Sequence, residues 1–191
     1  YKDINYDLIG HYMCNKYIVA PYTIFHNTYK MEPGTYLIYH KGEMQIHRYW
    51  DLIDIRSHTD RNITDLAQAK QQLQDLLRDS VSKRLIADVP VGTFLSGGID
   101  STLITAVAQE VSYAPIDSFT IGFYDDERNE APYAAQIAKH IGTNHHELYM
   151  KEEQILEMIH QLPVYYDEPF SDSSQLPSML VSRMAAGYVT V

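Results

Sequence analysis

The sequence predicts an α/β protein built on a doubly wound parallel sheet, preceded by a partial α+β segment. Three observations carry this reading. Beyond residue 90, short apolar runs alternate with amphipathic stretches, as in a parallel sheet whose helices cover both faces. One strand-to-helix passage, Val91-Gly-Thr-Phe-Leu-Ser-Gly-Gly-Ile-Asp-Ser101, is a tight glycine turn. Residues up to about Leu52 have another texture, with partial alternation around turn signals.

Asp7–Met13 reads as a short helix. Pro33-Gly34 makes a turn, after which Thr35–His40, Lys41-Gly42 and Glu43–Tyr49 read as a hairpin. A lone hairpin is marginal in water, so this half belongs to a larger sheet. The polar stretch from Asp54 to Asn62 reads as a linker. From Thr64 the pattern turns helical. Leu66, Ala69, Leu73, Leu76, Leu77, Val81 and Leu85 form one stripe, which Asp88 and Pro90 close. Then come a strand at 91–95, a helix at 100–111, a strand at 116–123 and a helix from about Asn129 to His140. A strand at 145–150, a helix at about 152–161, an acidic loop and a helix at about 174–186 follow. Tyr188–Val191 reads as the start of a further strand. The chain begins without an obvious start and ends within strand-like sequence, as a piece of a longer protein would.

Composition narrows the partners. The chain has 191 residues, 45% hydrophobic and 21% charged, ordinary values for a globular protein. No apolar run approaches the roughly 20 residues that span a bilayer, and no secretory signal opens the chain. A net charge of −10 without a basic cluster argues against nucleic acid as the partner. The single cysteine, Cys14, excludes an intrachain disulfide and is compatible with a reducing cytoplasm. The sixteen tyrosines are scattered and read as packing and surface residues.

The glycine turn carries the chemistry. Two adjacent glycines let the main chain approach a ligand closely. The amides of the turn and the positive end of the following helix favour an anion, and Ser96 and Ser101 add hydroxyls. Asp100 is a carboxylate where a phosphate should sit, which makes sense with a divalent cation between them. The competing reading is a plain tight turn with an acid capping the helix. The loop lacks the lysine of G-x-x-x-x-G-K-[ST] and the G-x-G-x-x-G dinucleotide pattern. Gripping ATP by its pyrophosphate leaves the α-phosphorus as the electrophile, which suits adenylation better than kinase chemistry.

Ser96-Gly-Gly-Ile-Asp-Ser101 resembles the pyrophosphate loop of the N-type ATP pyrophosphatases, which include the asparagine, GMP and NAD synthetases. The flanks resemble glutamine-dependent asparagine synthetases. They are Asp88-Val-Pro-Val-Gly-Thr-Phe-Leu95, Ser118-Phe-Thr-Ile-Gly-Phe123, Asn129-Glu-Ala-Pro-Tyr-Ala-Ala135, Ile141-Gly-Thr-Asn-His-His-Glu147 and Tyr166-Asp-Glu-Pro-Phe-Ser-Asp-Ser-Ser174. Pro33-Gly-Thr-Tyr-Leu37 and Arg48-Tyr-Trp-Asp51 are similar to the end of that family's glutaminase domain. The resemblance covers nearly the whole chain.

It implies an adenine nucleotide alpha hydrolase-like fold at 64–191, a linker at 54–63, and the end of an Ntn-type glutaminase domain at 1–53. The implied activity is a C–N ligase. The aspartate β-carboxylate attacks the α-phosphorus of Mg-ATP, giving β-aspartyl-AMP and pyrophosphate, and glutamine-derived ammonia displaces AMP to give asparagine. Ser96, Gly97, Gly98, Ile99 and Ser101 are implied to bind pyrophosphate and Asp100 the Mg²⁺, while the main chain of Phe94 and Ile121 holds the nucleoside. The partners are then aspartate and glutamine or ammonia, in the cytoplasm, with no nucleic acid or membrane; a homodimer is compatible. Two departures bear on activity. The family's glutaminase begins with a cysteine, whereas this chain begins at Tyr1, and Cys14 reads as a small buried hydrophobe. The family's Ser-Gly-(Asp/Glu)-Gly-x-Asp-Glu segment does not occur before Val191, so the piece is expected neither to release ammonia from glutamine nor to complete the ligation. The alternatives are a relative adenylating another carboxylate (β-lactam formation or sugar-acid amidation) and a non-catalytic nucleotide-binding module.

Other polar groups are read more plainly. Asp167, Glu168 and Asp172 offer either a second metal or substrate contact, or helix capping by Asp172 or Ser173. His145 and His146 are adjacent on a strand and so point to opposite faces, which favours packing over metal. Asp125, Asp126 and Glu127 read as a solvated turn. Glu130, an acid near the next helix start, could face nucleotide or substrate.

Overall fold

The computed structural model describes residues 3–58, 63, 65–124 and 129–191. Tyr1, Thr64 and the acids Asp125–Glu127 lie outside the described residues. The chain divides into two compact units, one of residues up to 62 together with 163–172, the other of 63–162 and 173–191.

In the first unit a 3-10 turn at Tyr6–Leu8, started by the Asn5 side chain, runs into helix α1 (Ile9–Asn15). Leu8, Ile18 and Ile24 are buried together, with Tyr12 and Phe25 packed against them. Cys14 lies on the outer side of α1 and is exposed, not buried as its residue type suggested. The helix gives the small core only Tyr12, one turn from Leu8, and Cys14 falls outside that stripe. Strands β1 (Thr35–His40) and β2 (Glu43–Arg48) pair antiparallel, with Thr35 opposite Arg48 and His40 opposite Glu43. Their turn, Lys41 and Gly42, has φ of +50° and +88°, both in the left-handed region that a two-residue hairpin needs. Helix α2 (Leu52–His58) runs into the segment read as a linker, and Asp51 caps its start by accepting from the Ile53 amide at 2.8 Å. A local cap thus overrides the polar composition.

The second unit begins with α3 (Leu66–Arg84), capped by Asp65, whose carboxylate accepts from the Ala67 amide. Its stripe is buried only toward the C-terminal end. Val81 packs with Val107, Ala108 and Ile116, while Leu66, Leu73 and Leu76 are exposed. Next follow β3 (Gly92–Phe94), α4 (Ile99–Val111), β4 (Asp117–Phe123), α5 (Ala131–Ile141) and β5 (Asn144–Met150). Then come α6 (Glu152–Met158), a 3-10 turn at Ile159–Gln161 and α8 (Gln175–Ala185), while α7 (Leu162–Tyr165) starts at Leu162 and continues into the 163–172 segment of the first unit. Strands β3, β4 and β5 form one parallel sheet in that order.

Alternation along the strands puts helices on both faces. Leu95 packs with Ala134 and Ala138 of α5, and Thr105 of α4 bonds to Thr93. Residues one step along face the other way: Phe119 packs with Ala185 and Val189, and Ile121 lies against the cluster of Met158, Met179 and Leu180. No strand forms at 188–191, where one was expected, but the segment lies along β3. The Val191 amide donates to the Pro90 carbonyl at 3.3 Å and the Gly92 amide to the Val191 carbonyl at 2.9 Å, the hydrogen-bond pattern of a parallel ladder. This occurs on the edge of β3 away from β4. The chain therefore winds one way from β3 to β5 and returns by α8 to the other side of β3. The winding direction reverses at β3, and at such a switch point the crevice beyond the strand ends takes ligands in open α/β sheets.

Candidate functional site

The loop from Leu95 to Ser101 leaves the C-terminal end of β3 at that switch point. The Leu95 amide makes the last ladder bond, to the Phe119 carbonyl at 2.9 Å, and the Thr120 hydroxyl bonds to the Leu95 carbonyl. Gly97 then turns with φ +87°. A Cβ there would stand 3.3 Å from both the Ala134 nitrogen and the Glu130 oxygen, so the start of α5 closes against this residue. Gly98, at φ −70° and ψ 162°, is the N-cap of α4. A Cβ on Gly98 would meet only the Ser96 hydroxyl at 3.4 Å and the Ser101 hydroxyl at 4.0 Å. The two glycines thus differ: Gly97 is required by its torsion and close packing, whereas a Cβ at Gly98 would meet only two hydroxyls at ordinary contact distance.

The hydroxyls expected to reach a ligand first shape the loop. Ser96 Oγ accepts from the Gly98 amide at 3.3 Å and lies 3.0 Å from Ser101 Oγ. The latter accepts from the Ser96 amide at 3.3 Å and donates to the Gly98 carbonyl at 3.2 Å. The first intrahelical bond of α4 runs from the Thr102 amide to the Gly98 carbonyl at 3.0 Å. The amides of Ile99, Asp100 and Ser101 precede it and have no acceptor within the helix. They present the positive end of a 13-residue helix. Ile99 is 86% exposed, and Asp100 is exposed beside it.

A cleft of about 340 Å³ opens next to the loop, lined by Phe94, Ser96, Thr120, Ile121, Phe123, Glu130 and residues of α8. Phe94, Ser96 and Ile121, which the sequence reading assigned to the nucleotide, thus share one cavity, and Gly97–Ser101 continue from its edge. The two main chains meet it differently. In a parallel ladder, successive residues turn their N–H and C=O groups to opposite neighbours. The Phe119 carbonyl bonds toward β3, whereas Ile116 and Tyr124 bond toward β5. By the same alternation the amide and carbonyl of Ile121 face the side of β3, which has already ended at Phe94 and left that edge open. On β3, Gly92 bonds toward Val191, so the main-chain groups of Phe94 face that outer edge. Phe94 itself lines the cleft and is 53% exposed.

Sequence reasoning missed Thr120, Phe123, Pro177, Ser178 and Val181 as lining residues. Thr120 had a signal, a hydroxyl set between Phe119 and Ile121. The α8 residues had none, because their position depends on how that helix crosses the sheet.

Glu168 and the two histidines take structural roles. Both Glu168 oxygens are taken, Oε1 by the Ile24 amide at 2.5 Å and Oε2 by Lys30 Nζ at 2.5 Å, and Lys30 also donates to the Ile18 carbonyl at 2.6 Å. Glu168 therefore fastens its loop to Ile24 and Lys30 within the first unit. Helix α8 is capped at Ser174, not at Asp172 or Ser173, and without a side-chain cap bond. At the starting end of β5, remote in the sheet from the loop, the two imidazoles lie on opposite faces. His145 Nδ1 is 2.8 Å from Ser118 Oγ, whereas His146 Nε2 is 2.8 Å from Asp117 Oδ1 and its ring stacks on Phe119. Burial pushes the His145 pKa below its ordinary value, and its Nε2 is buried without a partner.

The asparagine synthase family model matches residues 72–191. The chain is 37% identical over 193 residues to a putative glutamine-hydrolysing asparagine synthetase of Methanocaldococcus jannaschii, covering 100% of this chain and 36% of that protein. It is 27% identical over 192 residues to glutamine-hydrolysing asparagine synthetase 1 of Bacillus subtilis, covering 99% of this chain and 29% of that one. Among solved structures, an NH3-dependent NAD synthetase from Campylobacter jejuni superposes with a TM-score of 0.42 at 15% identity, over 62% of this chain and 50% of that chain. The chain spans about a third of the length of the curated relatives it matches.

Proposed function

The chain belongs to the asparagine synthase family, and on that premise we propose that residues 64–191 are the ATP-binding part of a glutamine-dependent, asparagine-forming ligase. The observation that carries this is the passage from β3 to α4. A positive-φ glycine and the unpartnered first-turn amides of a helix meet at the switch point of a parallel sheet, beside a cleft of nucleotide size.

The main chain of Gly97–Ser101 holds the terminal two phosphates, and the open main-chain edge at Ile121 takes the nucleoside. That grip leaves the α-phosphorus free for attack. An oxygen of the aspartate side-chain carboxylate forms a bond to it, the bond to the bridging oxygen breaks, and pyrophosphate leaves. Ammonia then attacks the acyl carbon of β-aspartyl-AMP, loses a proton and expels AMP. The loop contributes position and charge stabilisation, with donors fixed in advance where negative charge accumulates. Asp100, exposed beside the amides, is the donor type that holds Mg²⁺ jointly with phosphate oxygens. Bound there, the ion offsets the charge of the leaving pyrophosphate. Residues 1–53 are read as the end of an Ntn-type glutaminase domain that supplies ammonia in the whole protein, with 54–63 connecting the two.

Calorimetry with Mg-ATP tests the assignment. The wild-type chain is expected to bind only with Mg²⁺ present, and Asp100→Ala to weaken binding about tenfold or more while its melting stays near that of the wild type. Metal-independent binding that Asp100→Ala leaves unchanged would point to a nucleotide-binding module without ligase chemistry.

A further inference from the structure

We propose that Glu130 recognises the ribose of the bound nucleotide, its carboxylate accepting hydrogen bonds from the vicinal hydroxyls. The inference rests on the nucleotide reading above and adds to it a preference for ribonucleotides. Glu130 lines the cleft with Phe94, Ser96 and Ile121. Its main chain is held in place, the carbonyl accepting from the Tyr133 and Ala134 amides at 3.0 Å each. That carbonyl also abuts Gly97, where a Cβ would stand 3.3 Å away. Its carboxylate makes no cap bond to α5 and has no ion-pair or hydrogen-bond partner among the described residues.

An acid beside a polyanion site is unfavourable unless it meets a cation or hydrogen-bond donors. No lysine, arginine or histidine lines this cleft among the described residues. An ionised carboxylate can only accept. The donors an adenine nucleotide carries are the exocyclic amine and the ribose hydroxyls. Ile121 presents an amide and a carbonyl side by side, which suits the base edge, and the loop amides take the phosphates. The sugar bridges these two ends. Two neighbouring hydroxyls then match the two oxygens of one carboxylate, the same pairing by which an acid reads ribose hydroxyls in dinucleotide-binding sheets.

Calorimetry on the full chain with Mg-ATP, Mg-2′-deoxy-ATP and inorganic pyrophosphate decides it. The wild type is expected to bind ATP about tenfold more tightly than 2′-deoxy-ATP. In Glu130→Gln and Glu130→Ala that ratio is expected to fall to about two or less, with pyrophosphate affinity unaltered. Equal affinity of the wild type for the two nucleotides overturns the ribose assignment and leaves the nucleotide reading standing, as does a preference that survives in both variants. A wild type that binds neither nucleotide overturns that reading, and the assignment with it.

Discussion

Replacing Gly97 and Gly98 one at a time by alanine separates the two demands that the loop makes. At Gly97 the φ of +87° places a new Cβ in the left-handed region, at a cost of about 1–2 kcal/mol. The Cβ would also stand 3.3 Å from main-chain atoms of Glu130 and Ala134, which cannot swing aside as a flexible side chain could. Overpacking of this kind adds about 1 kcal/mol or more. The sum, about 2–3 kcal/mol, corresponds to a fall in melting temperature of roughly 4–12 °C for a chain of this size. At Gly98 the torsions suit any residue and the nearest atom is the Ser96 hydroxyl at 3.4 Å. Only the poorer capping preference of alanine remains, about 0.5–1 kcal/mol. Its methyl group, however, would stand beside the Ser96 and Ser101 hydroxyls, in the turn proposed to hold phosphate. Gly98→Ala should therefore melt within a few degrees of the wild type yet lose Mg-ATP binding in calorimetry, whereas Gly97→Ala should lose stability first. A Gly98→Ala variant that binds Mg-ATP with wild-type affinity would refute the placing of phosphate over these amides.

Three further outcomes follow from the packing and the electrostatics. At Gly122, a Cβ would fall 2.6–2.7 Å from the Tyr149 ring and 2.9 Å from the Ala131 Cβ, so Gly122→Ala is expected to cost about 1–3 kcal/mol in denaturant unfolding; an unchanged midpoint would mean that β4, β5 and α5 are packed more loosely. Burial lowers the His145 pKa, so the folded chain binds fewer protons there than the unfolded one as pH falls below about 6.5. The contribution of His145 is present in full above that pH and declines toward the lower folded value. Melting temperatures at pH 7.5 and 5.5 should differ more for the wild type than for His145→Gln, and equal differences would remove the group from the account. Glu168→Gln breaks the pairing with Lys30 within the first unit and is expected to cost about 1–3 kcal/mol. Because Glu168 does not line the cleft, Mg-ATP affinity should stay within about twofold; a tenfold loss would restore a ligand-binding role.

The elements were legible where their signals are local. The glycine turn, the helix from Leu66, the alternation of 117–123 and the hairpin turn at Lys41-Gly42 each depend on torsions and periodicities within a few residues. They are found within a residue or two of where the sequence placed them. Ile121 lies far in sequence from Phe94 and Ser96, and the resemblance, not any spacing, named them together; the structure brings them onto one cleft. Glu168 shows the reverse case. Its neighbours Asp167 and Asp172 suggested a shared acidic function, but its partners, Ile24 and Lys30, are more than a hundred residues away in the chain. Cys14 was misjudged because residue type reports an average burial, whereas α1 turns only Tyr12 toward the small core around Leu8.

By itself, the sequence determined the hairpin, the strands and helices between residues 66 and 150 to within a few residues, and that a glycine bend with an acid at its helix end would sit between strand and helix. Those properties follow from backbone sterics and apolar periodicity, which act over one or two turns of chain. Only the tertiary structure decided that Val191 returns to the far edge of β3, so that the bend falls where the winding reverses. It also decided that the end of β3 frees the main chain of Ile121, and that Glu130 and α8 wall the same space. These depend on which segments meet across the sheet, a choice made by burial of the whole apolar surface rather than by any stretch of residues alone.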